Sequence, residues 1–237
     1  MLALLDHRAP MEAEVHLIQY GHRVLRLPSH PDLPSPVSAH VDLLLFFAPN
    51  EILCTRDYFE IAKEELSIIA EASKKPLRVL DKELGNEYPS DVLFNAASVG
   101  AALFCYPKAA AGEILACYES NKIIAVKQGY TKCNLLPVDE RSLITEDPSI
   151  ASAARNRGFS VMQIPPGHVE LPGYDTGFLG GCSSFAPYQI INEIFFCGDL
   201  DKHPQAEEIR QFCKQRKKEP ISLGDFHLLD VGTIFLI

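Results

Sequence analysis

The sequence predicts an α/β fold: a five-fold pseudo-symmetric propeller of ββαβ units, a single domain over residues 1–237 in which the two ends of the chain complete one shared unit. Three observations carry this expectation. The order strand, hairpin partner, helix, strand recurs along the chain. A polar residue opens the first strand of each copy, at Asp42, Asp91, Asn134, Asp175 and Asp230, at spacings of 49, 43, 41 and 55 residues, with 49 again from Asp230 through the two ends to Asp42. The last copy stops after one strand, and residues 1–27 supply the three pieces it lacks. A period of this length that closes on itself suits units around an axis, because closure protects the end units that an open solenoid must cap.

The half-unit at the start reads as a strand over 1–6, a helix over 10–20 with Pro10 in its first turn and Gly21 as its stop, and a strand over 22–27. A proline-rich loop over 28–36 leads to the first full copy. This copy is a hairpin of 42–47 and 51–54 turning at Ala48-Pro49-Asn50, a helix over about 58–72 and a strand over 77–80. The second copy runs through 91–95, a Gly100 turn, 103–105, a helix around 111–120 and a strand over 123–126. The third runs through 134–138, 143–145, a helix over 148–156 stopped by Gly158, and 159–164. The fourth opens with the glycine-rich stretch 173–184, whose four glycines mark bends or close approach of another backbone or a ligand. It continues with 194–197, a helix over 203–217 and a strand over 220–223, after which Asp230 opens the last strand.

The second strands align, so Cys54, Cys105 and Cys197 occupy one repeated packing slot, while Cys117 and Cys213 fall on helices. A doubly wound parallel sheet also alternates strands and helices. The short hairpins and the lack of a G-x-G-x-x-G or Walker pattern count against it.

Composition narrows the function classes. With 31 acidic against 22 basic residues the net charge is −9, which argues against a nucleic-acid partner, because phosphate binding relies on clustered Lys and Arg. No apolar run approaches the roughly 20 residues of a membrane helix, and residues 1–5 are too short a run for a signal-peptide core. A soluble, cytoplasmic protein with no membrane partner is expected. Seven cysteines without a C-x-x-C pair fit reduced thiols better than a disulfide framework. No H-x-x-x-H occurs either, and Asp199, Asp201 and His203 read as a helix-start cluster, so no metal and no cofactor is predicted. No pattern in the chain specifies an oligomeric state.

Five ββαβ units with an acid opening the inner strand resemble the penteins, which include arginine deiminases, amidinotransferases and dimethylarginine hydrolases. The stretches Val126-Lys127-Gln128-Gly129-Tyr130-Thr131-Lys132-Cys133, Gly173-Tyr174-Asp175-Thr176-Gly177-Phe178-Leu179-Gly180-Gly181-Cys182-Ser183 and Ser222-Leu223-Gly224-Asp225 are more closely similar to an uncharacterised bacterial family assigned to this guanidino-group-modifying-enzyme fold. The resemblance implies a catalytic His in an H-x-D motif on the fourth inner strand, a nucleophilic Cys on the fifth, and carboxylates that hold a guanidinium. This chain departs from that plan. Gly173-Tyr174-Asp175 stands in the fourth unit, and residues 230–237 contain no cysteine.

Side chains on a strand alternate faces, so residues two or four from each marker share its face. His40 then joins Asp42, Asn95 joins Asp91, and Lys132 joins Asn134. A central pocket lined by Asp42, Asp91, Asp175 and Asp230, with Asn95 and Lys132, is acidic and suits a small cationic ligand such as a guanidinium. The same aspartates also read as turn caps at strand starts. His40-Val41-Asp42 forms an H-x-D. Cys133, beside Lys132 and near Lys127, reads as a thiol of lowered pKa. Cys182 sits between a glycine pair and two serines, with room for a substrate and donors for a developing charge. Its odd offset of seven from Asp175 turns it from the centre unless the glycines bulge. Cys182, Cys133 and His40 each also read as packed core residues.

Three functions follow. The first is a binder of a cationic, guanidine-like molecule, favoured by the missing fifth-unit Cys. The second is a Cys-dependent hydrolase or transferase on a guanidino or amide carbon, with Cys182 or Cys133 as relocated nucleophile and His40 or His168 moving protons. The third is a protein-interaction scaffold.

Overall fold

In a computed structural model describing residues 1–237, the strands divide among five small sheets. The chain opens with β1 (Leu2–Asp6), α1 (Met11–Gln19) and β2 (Arg23–Leu27). β1 and β2 pair in parallel, which demands a crossover, and α1 supplies it. Next come α2 (Val41–Leu44), β3 (Phe46–Phe47), β4 (Ile52–Thr55), α3 (Arg56–Ile61), α4 (Lys63–Ser73) and β5 (Leu77–Leu80). Here β3 and β4 form an antiparallel hairpin, and β5 returns parallel to β4 after the helices. The same pairing recurs in β6 (Ala97–Val99), β7 (Ala102–Cys105), α5 (Gly112–Ala116) and β8 (Ile123–Ala125). It recurs again in α6 (Thr131–Asn134), β9 (Leu135–Asp139), β10 (Ser142–Thr145), α7 (Pro148–Asn156) and β11 (Ser160–Gln163). β12 (Ser184–Phe185), β13 (Glu193–Phe196), α8 (Ala206–Lys214), β14 (Glu219–Ser222) and β15 (Ile234–Leu236) follow.

The three-stranded sheets are graded in burial across their strands. The middle strands β4, β7 and β10 are buried along their whole length, as their apolar runs require, while β5, β8 and β11 at the sheet edges are partly exposed. α7 shows how a helix is set against this core. Pro148 occupies its first turn, Asp147 accepts hydrogen bonds from the amides of Ser149 (2.7 Å) and Ile150 (2.9 Å), and Ile150, Ala151 and Ala154 face inward. The packing slot holding Cys54, Cys105 and Cys197 is buried, and burial pushes these thiols up to about 12, 11 and 12.

The two ends of the chain share one sheet, ordered β12-β15-β1-β2. β15 lies antiparallel to β1, with Ala3 opposite Leu236, and the flanking residues Leu2 and Ile237 exchange backbone hydrogen bonds of 2.8 and 2.9 Å. All five residues of β1 are buried.

The structure departs from the expected repeat in two places. Residues 173–183 form turns in place of an inner strand, and the two-residue β12 pairs in parallel with β15. β13 and β14 are left as a two-stranded sheet, joined to this segment by one Ser183–Phe196 bridge. The glycines explain the departure. A Cβ at Gly180 would lie 2.5 Å from the carbonyl oxygens of Lys132 and Cys133, and one at Gly181 would lie 2.1 Å from Asp230 Oδ1. The backbone here packs against functional groups, not against a neighbouring strand. Second, Asp42 and Asn134 sit in the helical turns α2 and α6, and Asp91 in a 3-10 turn over Ser90–Val92. Four-residue turns leave no periodicity in a sequence, and strand alternation does not govern residues on them. No helix is long and apolar enough to cross a membrane.

Replacing Leu4, wholly buried at the middle of the shared sheet, by Ala is expected to destabilise the protein by about 2–5 kcal/mol. Urea denaturation of the two proteins measures the difference.

Candidate functional site

Thr131–Asn134 is a single helical turn, and Asn95 holds its start. The Asn95 side-chain oxygen accepts hydrogen bonds from the amides of Lys132 (2.7 Å) and Cys133 (3.3 Å), while its Nδ2 donates to Cys133 Sγ at 3.2 Å. The turn has a chemical consequence. On a strand Lys132 and Cys133 would face opposite ways; on a helical turn both reach the interior. Cys133 Sγ donates to Asp42 Oδ2 at 3.3 Å, and the same oxygen accepts from Thr233 Oγ1 at 2.8 Å. Lys132 Nζ donates to Thr233 Oγ1 at 3.0 Å. Asp42 Oδ1 is buried and has no partner.

His40 lies between two carboxylates. Its Nδ1 is 3.8 Å from Asp230 Oδ1 and its Nε2 is 4.0 Å from Asp6 Oδ2. Asp230 is itself held by the amides of Phe178 and Gly232, each at 3.0 Å. Asp6 is gripped by Arg8, through contacts of 2.9 and 2.5 Å. His40, Cys133 and Asp230 share a cavity of about 120 Å³ with Tyr130, Phe178 and Tyr174, the last 45% exposed at its mouth. A ring nitrogen of His40, an oxygen of Asp42 and Cys133 Sγ all lie within 4.8 Å of one another.

Burial dominates the electrostatics. It pushes the Cys133 thiol well above its ordinary value, and the Asp42 and Asp230 charges push it further, so the lowered thiol pKa expected from Lys132 and Lys127 is not found. Lys127 is exposed, and Lys132 turns its ammonium toward Thr233. Burial also lowers the Lys132 pKa, against the opposing pull of Asp42, Cys133 and Asp230. Asp230 is raised by burial, with His40 pulling it back down.

A family model described as "Family of unknown function (DUF6873)" matches residues 4–235. The chain belongs to this family. Among solved structures, a cysteine-to-serine mutant of DDAH from Pseudomonas aeruginosa complexed with citrulline matches with a TM-score of 0.57 and 12% identity, over 93% of this chain and 90% of that one. C. jejuni agmatine deiminase matches with a TM-score of 0.52 and 10% identity, over 94% and 75%. SxtG, an amidinotransferase from Microseira wollei in the saxitoxin biosynthetic pathway, matches with 0.51 and 13%, over 97% and 93%. All three are pentein-fold proteins, and likeness at these identities establishes the fold: this DUF6873 chain is a mixed α/β protein of the pentein fold. No curated protein matches it.

Of the residues singled out from the DUF6873 sequence, His40, Asp42, Asn95, Lys132, Cys133 and Asp230 converge at this centre. Cys182 does not. It packs in an apolar cluster with Leu136, Leu179 and Phe196, its thiol donating to the Leu179 carbonyl at 3.3 Å, and burial holds it well above the ordinary thiol range. Asp175 is exposed, because the turns over 173–183 replace the strand that was to aim it inward. Asp91 is buried and accepts a short hydrogen bond from the Tyr130 hydroxyl at the cavity wall, without lining the cavity. His168 is exposed and stacks edge-on with His203, away from the centre. Sequence reasoning missed Asp6, Thr233, Tyr130, Phe178 and Glu146. Only Asp6 left a trace, as the lone polar residue closing the apolar run of β1.

No metal was expected from the spacing of His and Cys in the chain. The fold nonetheless brings Cys133 beside His40 and Asp42 as three possible ligands, a donor set that suits zinc once the thiol is deprotonated. A second group, His30, Asp32 and Asp57, is less suited. His30 Nε2 is engaged with Asp57 at 2.8 Å and Nδ1 accepts from the Asp32 amide at 3.1 Å, which uses both nitrogens.

Glu146 braces the wall behind the cavity, its Oε2 accepting from the Leu179 amide at 3.1 Å while Oε1 is buried without a partner. Burial, with the Asp230 charge, raises it to about 7 from 4.5. A carboxyl raised on folding favours the folded state while protonated, and that contribution is lost as pH rises from 4.5 to 7. Glu146→Gln is therefore expected to melt above wild type at pH 8, with the gap closing toward pH 4.5. Melting temperatures of both proteins across this range check it.

Proposed function

We propose that this pentein-fold protein is a Cys-dependent hydrolase or transferase acting on the guanidino carbon of a small cationic substrate. Cys133 is the nucleophile, His40 the proton carrier, and Asp42 and Asp230 the anionic partners of the cation. One observation carries the reading: Cys133 Sγ, a ring nitrogen of His40 and an oxygen of Asp42 lie within 4.8 Å of one another, and Cys133 and His40 line one cavity together with Asp230. Cys133 and His40 are not hydrogen-bonded to each other. The gap between them suits a carbon centre attacked from one side and protonated from the other.

Substrate charge completes the thiol's activation. In the free protein burial first, and then the Asp42 and Asp230 charges, hold the proton on Sγ, and a guanidinium seated against Asp230 offsets the carboxylate part of that hold. The thiol proton passes to Asp42 Oδ2 as Sγ bonds to the guanidino carbon. His40 then delivers a proton to a nitrogen of the tetrahedral adduct, and the C–N bond breaks to release an amine or ammonia. Water, deprotonated by His40, attacks the resulting thiouronium carbon; the S–C bond breaks, the hydroxyl proton of the departing group passes to the Cys133 thiolate to leave a urea, and Asp42 releases its proton to the freed ammonia or amine. An amine in place of water gives amidino transfer.

In this reading the five sheets surround one axis as the blades of a single domain, with the site at its centre, and the thiols are kept reduced in a cytoplasmic setting. The raised Cys133 thiol, donating to Asp42, favours a second reading in which the same pocket binds the cation without chemistry.

Acid-quenched intact-mass analysis after incubation with a panel of guanidines tests the choice. Turnover is expected with wild type, at least about 10²-fold slower turnover with Asp42→Asn, and none with Cys133→Ser. Binding without any turnover or adduct would leave only the second reading. Separately, millimolar guanidinium ion is expected to raise thiolate absorbance at 240 nm in wild type and not in Cys133→Ser.

A further inference from the structure

The cavity is polar at one end only. His40, Cys133 and Asp230 form its buried floor, and its outer wall consists of Val37, Tyr130, Leu171, Tyr174, Thr176 and Phe178. The polar atoms of that wall are largely engaged elsewhere. The Tyr130 hydroxyl is committed to Asp91, and the Thr176 hydroxyl to the Val169 carbonyl at 3.0 Å. Tyr130 therefore offers a ring face, as does Phe178, whose ring tilts toward it at 6.5 Å.

No Lys or Arg lines the cavity. The two nearest candidates are spent. Arg8 uses its guanidinium on Asp6 and on the carbonyls of Ser35 and Pro36. Lys132 points to Thr233 and lies 5.5 Å from the Phe185 ring centre, on a different side of the Asp42 carboxylate from the cavity. Apart from the Tyr174 hydroxyl at the mouth, a carboxylate on the ligand would leave water and meet aromatic faces, whose quadrupole is negative, and aliphatic groups.

The geometry points to a substrate class: guanidines that bear an uncharged, apolar tail and no α-carboxylate, with amino acids of the arginine type excluded. This rests on the reading of the cavity floor as a guanidinium site. The floor takes the cationic head, and Tyr130, Phe178 and Leu171 take the tail.

Calorimetric titration of the full chain with guanidinium ion, n-butylguanidine and arginine tests it, in wild type and in Cys133→Ser to exclude heat from turnover. n-Butylguanidine is expected to bind at least about tenfold tighter than guanidinium ion, from burial of its methylenes, and at least about tenfold tighter than arginine. Tyr174→Arg, which places a cation on an exposed position at the mouth, is expected to narrow the arginine deficit. Arginine binding as tightly as n-butylguanidine overturns the inference and leaves the guanidinium floor standing. Failure of all three to bind overturns the floor and the inference together.

Discussion

Asp42 puts a carboxylate at 1% exposure in the middle of the protein, where an ion is tolerated only if its oxygens are met by donors. Much of the surrounding arrangement follows from that constraint. Oδ2 is met by Thr233 and Cys133, Thr233 is met in turn by Lys132, and the turn carrying Lys132 and Cys133 is fixed by Asn95. Oδ1 is met by nothing. A network satisfied on one oxygen and open on the other is rigid yet retains a demand for a positive or donating partner, which is what a binding centre needs.

The glycine-rich wall serves the same centre by absence of side chains. Gly180 and Gly181 let backbone lie directly against the Thr131–Asn134 turn and Asp230, so the amides of Phe178 and Leu179 reach the carboxylates of Asp230 and Glu146. Reading that stretch as a place of close approach was correct in kind. Of the two readings of its thiol, nucleophile or packed core, the surroundings match the second: Cys182 follows the last tight contact and turns into the apolar layer beside Leu136 and Phe196.

Much of the pairing order was legible because hairpins, helix stops and apolar middle strands leave local signals, and the shared end sheet followed from complementary halves. Six of the nine residues named for the site met at the centre for a related reason: each sits near the start of an inner strand, which the spacing of polar markers reveals. What the sequence hid is the conformation at those starts. Turns such as Val41–Leu44 and Thr131–Asn134 are too short to carry a period, yet they decide that Lys132 and Cys133 both point inward. Burial was equally hidden. Two lysines near a cysteine suggest a thiolate, and the desolvated thiol between Asp42 and Asp230 is the opposite case. Thr233 and Glu146 gave no signal, since their roles exist only through partners far away in the chain.

That distance has a kinetic side. Cys133 bonds to a residue 91 positions away and Thr233 to one 191 positions away, whereas each hairpin closes within a few residues. Loop-closure entropy delays such long-range contacts, so the local hairpins can pair while a nascent chain is still emerging, but the shared end sheet and the centre cannot. Asp42 and Lys132 meet Thr233 only once the segment leading into β15 is in place beside β1. Burying them therefore takes partners from both halves of the chain, and a ligand able to neutralise Asp42 would favour the fully assembled protein.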